Sequence, residues 1–503
     1  MTDALLGTGG LVFMGLYLFS LIGVGLLGRA ARKEDSLADF YLSGRSLGLF
    51  VLLMTLYATQ YSGNTLVGFT AKAYRQGFQF LVSVTFMMAV IGAYLLYAPK
   101  LYRISRKRKY ITPGDFIQDR FGSRFLTVVT TILFIVALGN YVLSNLKAIG
   151  YIVFESSGGR ISFAQGIIAL SLIMVIYETL GGMRSVAWTD VIQGVLLLIG
   201  CVFIFFTIEH LYGGLSGAAG TLMSGKFWTP PTTQQKVSWM STLVLISLGI
   251  SIYPHAIQRI FAAKSEIALK RSFQVMVFMP IVTTFFMIVV GIVGAAQFPN
   301  LDKQASEKIT LKLLNEIARQ LPAVSFMLVV FLSAAVAAIM STVDSALLSI
   351  SCLFTQDIYR PARPDAEQSH LTLVGKRFSW LVMALMAFLA IVLPQTIWRL
   401  IVIKLELLCQ VTPAIVLGIH FRSLRTSAVI AGLLAGTFLT LGLMFANIYD
   451  AELVAKKPLG IHAGLWGLAA NLIVLAIVTI VLAIVTALQP AQQQEAVDGA
   501  VAE

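Results

Sequence analysis

The stretch from Phe331 to Ser351 carries six hydroxyl side chains and one carboxylate inside an otherwise apolar segment. Small and hydroxyl residues share roughly one third of the helix circumference at about 100° per residue: Ala334, Ala338, Ser341, Thr342, Ser345 and Ser349. Small residues let another helix approach closely, and hydroxyl oxygens are hard ligands suited to a cation such as sodium. This face therefore predicts a helix contact with a cation site.

The composition places this face inside a membrane. Of the 503 residues, 57% are hydrophobic and 12% are charged, against about 25% charged residues in soluble domains. The three cysteines lie in apolar segments and the five histidines are scattered singly, so neither a disulfide framework nor a zinc site is predicted. The chain is expected to be a polytopic membrane protein.

The net charge of +13 does not indicate a nucleic-acid partner. The basic run 106–109 lies directly between two apolar segments, as is typical of a cytoplasmic loop. The nucleotide-binding lysine motif of primary pumps and the common membrane-hydrolase motifs are absent from the sequence. We therefore expect no enzymatic activity and no organic cofactor. The expected partners are a small solute and the lipid bilayer, and the oligomeric state stays open.

Thirteen segments are apolar over about 20 residues, the length that spans a bilayer. They are 9–28, 46–74, 78–101, 125–152, 162–181, 186–210, 239–262, 272–298, 322–354, 377–395, 398–420, 426–447 and 462–487. An all-α integral membrane domain is predicted over residues 1–487, followed by a disordered cytoplasmic tail over 488–503. The loops after odd-numbered segments hold roughly twice as many lysines and arginines as the others, which predicts an external N-terminus and a cytoplasmic C-terminus.

Two segments contain breaks. The second has polar residues at mid-membrane depth around 60–64, and the seventh has Gly249, Pro254 and His255. Broken helices are tolerated where they line a cavity, and paired breaks in corresponding positions are typical of inverted-repeat transporters. The breaks are five segments apart, which fits two halves of opposite orientation. Two ordinary kinked helices are the alternative.

Four motifs give the chain a family resemblance. They are F-Y-L-S-G-R-S-L-G from residue 40, E-T-L-G-G-M-R-S-V-A-W-T-D-V-I-Q from 178, H-A-I-Q-R-I-F-A-A-K-S from 255, and A-A-I-M-S-T-V-D-S-A-L-L from 337 with F-T-Q-D-I-Y-R from 354. The chain resembles the sodium:solute symporter family. That resemblance implies a LeuT-like core of two inverted five-helix repeats, about 46–210 and 239–420, with one helix before and two after.

The resemblance also implies a main sodium site. Family members hold sodium with backbone carbonyls at the break of the first core helix, and with one carbonyl and two hydroxyls of the eighth. By motif these are Ala58, Tyr61, Ala338, Ser341 and Thr342. Hydroxyls favour sodium over protons, which would more readily use a titratable carboxylate.

Three further residues are candidates for a second cation site or an ion exit path. The resemblance implies this role for Asp190 and Ser345. Asp344 could join them, pair with a basic residue, or be a buried acid bonded to neighbouring polar groups. Arg259 and Lys264 are expected to be cytoplasmic anchors.

Solute is expected to bind beside the sodium site, between the two breaks. The candidate residues are Gln60, Ser62, Asn64, Tyr253, His255 and Gln258. His255 could instead cap freed backbone groups. The predicted function is sodium-coupled uptake of an amino acid, a monocarboxylate or a pantothenate-like solute across the plasma (inner) membrane, for which a monomer is sufficient. A proton-coupled symporter and a transporter-like sensor are the alternatives.

Overall fold

The computed structural model describes residues 7–31, 34, 36–61, 64–222, 227, 230–393, 397–449 and 458–501. Its first half consists of helices in the following order: α1 (Thr8–Ala30), α2 (Leu37–Leu42), α3 (Leu49–Gln60), α4 (Thr70–Gln76), α5 (Ser83–Arg108), α6 (Pro113–Phe121), α7 (Arg124–Ser156), α8 (Phe163–Tyr212) and α9 (Gly214–Leu222). A π-helical segment, Asn64–Phe69, precedes α4.

The second half is also helical. Its helices are α10 (Thr233–Ser251), α11 (Pro254–Ala262), α12 (Glu266–Met276), α13 (Met279–Val282), α14 (Thr284–Gln297), α15 (Ile309–Gln320), α16 (Ser325–Leu353), α17 (Arg360–Ala362), α18 (Gln368–Val392), α19 (Ile397–Leu408), α20 (Thr412–His420), α21 (Thr426–Tyr449) and α22 (Ala463–Val501). A second π-helical segment, Phe354–Tyr359, follows α16.

When only long, apolar helices are counted, the described residues contain fewer spans than the thirteen predicted from the sequence. Among the described residues nine helices qualify, or up to 11 if each of two bent pairs is one span. The 50-residue α8 contains Gly182 with non-helical backbone angles (φ 62°, ψ −157°). At 1.5 Å per residue it is about 75 Å long, more than twice the hydrocarbon thickness. Dividing α8 at Gly182 therefore adds a span, and the total of thirteen stays a prediction.

Both predicted breaks are present. In the second segment α3 ends at Gln60 and Tyr61 is extended (φ −108°, ψ 109°). In the seventh, α10 and α11 are bent by 49°, and Pro254 begins α11, where its missing N–H and fixed φ are suited to the first helical position. A third bend of 41°, between α19 and α20, was not predicted.

The hydroxyl-bearing helix α16 lies at the centre of the bundle. Every residue from Phe331 to Leu353 is buried, including its hydroxyls and Asp344. It packs against α7 and α8 and also contacts α3 and α11. The face predicted from the sequence therefore contacts both broken spans.

The C-terminal helix α22 extends from Ala463 to Val501. The disordered tail over residues 488–503 stays a prediction.

Candidate ion and solute site

The end of α3 contacts α16 through the backbone carbonyl of Ala58. The Thr342 hydroxyl lies 3.0 Å from the Ala58 carbonyl oxygen and 3.0 Å from the Ala338 carbonyl oxygen. All three residues are buried. Three neutral oxygens from two helices thus converge at one point, as a cage for a hard, singly charged cation requires.

The other two predicted ligands lie beside this point. Tyr61 is fully buried and packs on Tyr57 with ring centroids 4.9 Å apart. Its extended backbone takes its carbonyl out of the helical hydrogen-bond pattern. Ser341 is buried, and its hydroxyl donates to Oδ1 of Asp190. The Ser341 hydroxyl is therefore shared between the predicted ion site and the carboxylate of α8.

Asp190 belongs to a fully buried polar network with Arg259. The guanidinium Nη2 of Arg259 lies 3.1 Å from Asp190 Oδ2 and donates to the Ser345 hydroxyl at 2.6 Å. Its Nε donates to the Thr55 hydroxyl at 2.7 Å, and the Thr55 hydroxyl donates to Asp190. The guanidinium thus lies between Asp190 and Ser345, the two residues expected to hold a second cation or to line its exit path.

Arg259 corrects an expectation from the sequence. It was predicted to anchor the chain at the cytoplasmic surface, yet none of its surface is exposed. Its Nη1 also donates to the His255 carbonyl at 2.9 Å within α11. Lys264, with which it was grouped, is exposed. A guanidinium can be buried here because it has a carboxylate partner and acceptors for its remaining N–H groups.

Asp344 lies apart from that network. Its Oδ2 accepts a hydrogen bond from the hydroxyl of Tyr177, which precedes the bend of α8 at Gly182. Its Oδ1 has no hydrogen-bond partner among the described residues. Of the alternatives left open, this geometry favours a buried acid bonded to a neighbouring polar group.

The predicted solute residues have different surroundings. Tyr253 and His255 are buried and stack on one another, with ring centroids 5.0 Å apart. Gln258 accepts a hydrogen bond from the hydroxyl of Ser349. Gln60, the last residue of α3, has an Nε2 group without a partner in the described part of the chain. Ser62 and the side chain of Asn64 lie outside the described residues.

Comparisons with known proteins give the family. A model of the sodium:solute symporter family matches residues 40–436. The chain belongs to the sodium:solute symporter family. Its members are secondary transporters, so the chain is a multi-pass membrane protein for sodium-coupled transport of a small organic solute.

Individual members extend the comparison over nearly the whole chain. A sodium/pantothenate symporter of Haemophilus influenzae is 26% identical over 90% of this chain and 94% of its own length. A sodium/proline symporter of Staphylococcus aureus is 25% identical over 86% of this chain and 85% of its own. A solved structure of a Na⁺-coupled sialic acid symporter, substrate-bound and outward-open, is 20% identical with a TM-score of 0.76, covering 94% of this chain and 98% of that one. It confirms the LeuT-like fold.

Two residues at the centre of the family core were not predicted as site residues. Tyr141 of α7 donates to the Thr59 carbonyl at 3.0 Å, next to Ala58. Its ring lies 5.5 Å from that of His255, and the Lys404 ammonium lies 3.4 Å from its centroid. In the sequence, the only feature that pointed to Tyr141 and Lys404 was the position of the charged Lys404 within an apolar span.

Proposed function

We propose that this chain couples inward sodium flow to uptake of a small carboxylate-bearing solute. Sodium is held by the carbonyls of Ala58, Tyr61 and Ala338 and the hydroxyls of Ser341 and Thr342. The observation that supports this ligand set is the 3.0 Å approach of the Thr342 hydroxyl to carbonyls on two helices. Bound sodium draws α3 and α16 together and so favours one of the alternating states.

The carboxylate is proposed from the relatives and from the breaks. Pantothenate and proline, the solutes named for the two symporters, and sialic acid all carry a carboxylate. Helix N-termini at a break, such as that of α11 at Pro254, carry partial positive charge and favour an anion. We propose that the chain works in the plasma (inner) membrane with its N-terminus outside, and that one copy is sufficient.

The sodium site is tested by uptake into proteoliposomes over a range of sodium concentrations. Ser341→Ala and Thr342→Ala each remove one ligand oxygen. We expect each to raise the half-saturating sodium concentration by roughly 10- to 150-fold, since a lost bond to a charged group costs about 1.5–3 kcal/mol. Ser333→Ala is the matched control, because it removes a buried hydroxyl from the same helix α16.

Unchanged sodium dependence in both variants would show that the ligand set is wrong. Uptake that persists without sodium and follows only a pH gradient would replace sodium with protons. Solute binding without any flux, together with co-purification of a kinase, would favour the sensor.

A further inference from the structure

Lys404 is a buried cation at the centre of the bundle. Only 1% of its surface is exposed. It lies on α19, which packs against α7 and α10. Its ammonium group lies 3.4 Å from the ring centroid of Tyr141 and 5.4 Å from that of Tyr253. The lysine therefore points towards α7 and the break between α10 and α11.

No carboxylate among the described residues pairs with this ammonium group. Glu406, two residues away, is directed elsewhere, since its Oε1 lies 3.4 Å from Nδ1 of His462. Burial of an ion without a counter-ion is strongly unfavourable, and a cation–π contact offsets only part of that cost. An anion that enters from outside the protein would supply the missing charge.

His255 provides a second, independent observation at the same place. It is completely buried, and neither ring nitrogen has a hydrogen-bond partner in the described part of the chain. Its ring stacks on Tyr141 and Tyr253, with centroid distances of 5.5 and 5.0 Å. Buried polar atoms are nearly always hydrogen-bonded, so both ring nitrogens of His255 are available to bond a ligand.

Tyr141 connects Lys404 and His255 to the proposed ion site. The Tyr141 hydroxyl donates to the Thr59 carbonyl at 3.0 Å, and the preceding carbonyl, of Ala58, faces Thr342. Lys404, Tyr141, Tyr253 and His255, named here the Lys404 cluster, are therefore adjacent to the break of α3.

We propose that the Lys404 cluster is the solute site and that the Lys404 ammonium pairs with the solute carboxylate. The two tyrosine rings pack against the apolar body of the solute, and His255 bonds a second polar group on it. The ligand class is thus a small monocarboxylate with a further hydroxyl, amide or amine. This inference rests on the proposed function and names the residue that selects the acid.

The test measures thermal unfolding of the purified full-length chain in sodium buffer. The probes are pantothenate, L-proline and L-lactate, each paired with the analogue that lacks the carboxylate: panthenol, L-prolinamide and L-lactamide. We expect at least one acid to raise the melting temperature and its analogue to have no such effect. Lys404→Met should raise the Kd for that acid at least tenfold, and Lys404→Arg should recover part of the affinity.

Lys72→Met is the matched control, because the Lys72 ammonium also lies against an aromatic ring, 5.6 Å from the centroid of Trp398. Lys72 lies on α4 and is not part of the Lys404 cluster. It should leave acid binding unchanged. Sodium alone should still stabilise Lys404→Met, which shows that this variant is folded. If sodium did not raise the melting temperature of the wild type, the proposed ion site would be wrong. The comparison of each acid with its neutral analogue would still test the Lys404 cluster.

Three results would overturn the inference. These are stabilisation by none of the acids, equal stabilisation by an acid and its neutral analogue, and acid binding that survives in Lys404→Met.

Discussion

At the scale of single residues, the charges buried in this bundle differ in whether the protein supplies their partners. Arg259 is matched by Asp190, Ser345 and Thr55. Lys404 has aromatic rings around its ammonium group, but no carboxylate in the described part of the chain pairs with it. A matched pair is charge-neutral without a ligand, whereas an unmatched cation is stabilised when an anion binds. The first arrangement is therefore structural and the second is suited to reversible binding.

Removal of the Arg259 side chain should be strongly destabilising. Arg259→Met leaves the Asp190 carboxylate buried without its counter-ion, which costs about 3–5 kcal/mol. Adding Asp190→Asn should recover part of that loss, because the remaining amide carries no charge. Thermal unfolding of the wild type, both single variants and the double variant measures this coupling.

Lys264→Met is the control, since that lysine is exposed and substitutions of exposed residues usually change stability by less than about 0.5 kcal/mol. If Arg259→Met were as stable as the wild type, the ion pair would not hold these helices together.

The residues of the ion and solute site show what the sequence could predict. The hydroxyl face with Ser341 and Thr342 was evident because helical periodicity is visible within a single segment. Their role as sodium ligands came from the family resemblance and stays a prediction. Arg259 was misplaced because its partners, Asp190 and Thr55, lie on other helices, and no local pattern records which helices meet. Tyr141 was missed for the same reason: an aromatic residue in an apolar span is indistinguishable from an ordinary core residue until its neighbours are known.

At the scale of elements, breaks in helices bring the functional groups together. The breaks after Gln60 and before Pro254 were evident from polar, glycine and proline residues in apolar segments. The bend between α19 and α20 was not evident from the sequence. Pro413 stands at the start of α20, but a proline in a long apolar segment does not by itself distinguish a kink from a span boundary.

The bend within α8 requires glycine. Gly182 has a φ of +62° and ψ of −157°, a conformation that is essentially restricted to glycine. A Cβ there would lie 2.7 Å from the Phe40 carbonyl oxygen. Gly182→Ala should therefore lower stability by at least the roughly 1–3 kcal/mol of backbone strain, measured as a lower melting temperature of the purified protein.

Gly23→Ala is the matched control within α1. A Cβ at Gly23 would meet no atom within 4 Å, and alanine is the better helix former by about 1 kcal/mol. We expect this variant to be as stable as the wild type or more so. Equal loss of stability in both variants would indicate a general sensitivity of the bundle rather than strain at the bend.

At the scale of the whole molecule, one cavity lies at the C-terminal end of α7, the helix that also carries Tyr141 of the Lys404 cluster. It has a volume of about 700 Å³, and its lining includes Lys147 of α7, Lys308 and Lys312. Lys147 is six residues beyond Tyr141 on the same helix, about 9 Å further along its axis. The cavity therefore opens beyond the C-terminal end of α7, whereas the basic run 106–109 lies beyond the N-terminal end. The wall also holds Glu155, which pairs with Lys308 at 2.8 Å, and Asp302. Three lysines against two carboxylates leave a small excess of positive charge, which would attract an anionic solute.

The proposed orientation makes this cavity external, and cysteine labelling tests that directly. The native cysteines Cys201, Cys352 and Cys409 are buried, so a membrane-impermeant maleimide should react with them slowly. Lys312→Cys places a thiol in the cavity wall, and Lys107→Cys places one at an exposed position in the basic run. In intact cells we expect Lys312→Cys to be labelled and Lys107→Cys to react only after permeabilisation, because positively charged loops stay in the cytoplasm. The reverse pattern would invert the orientation, and the cavity would then be an exit on the cytoplasmic side.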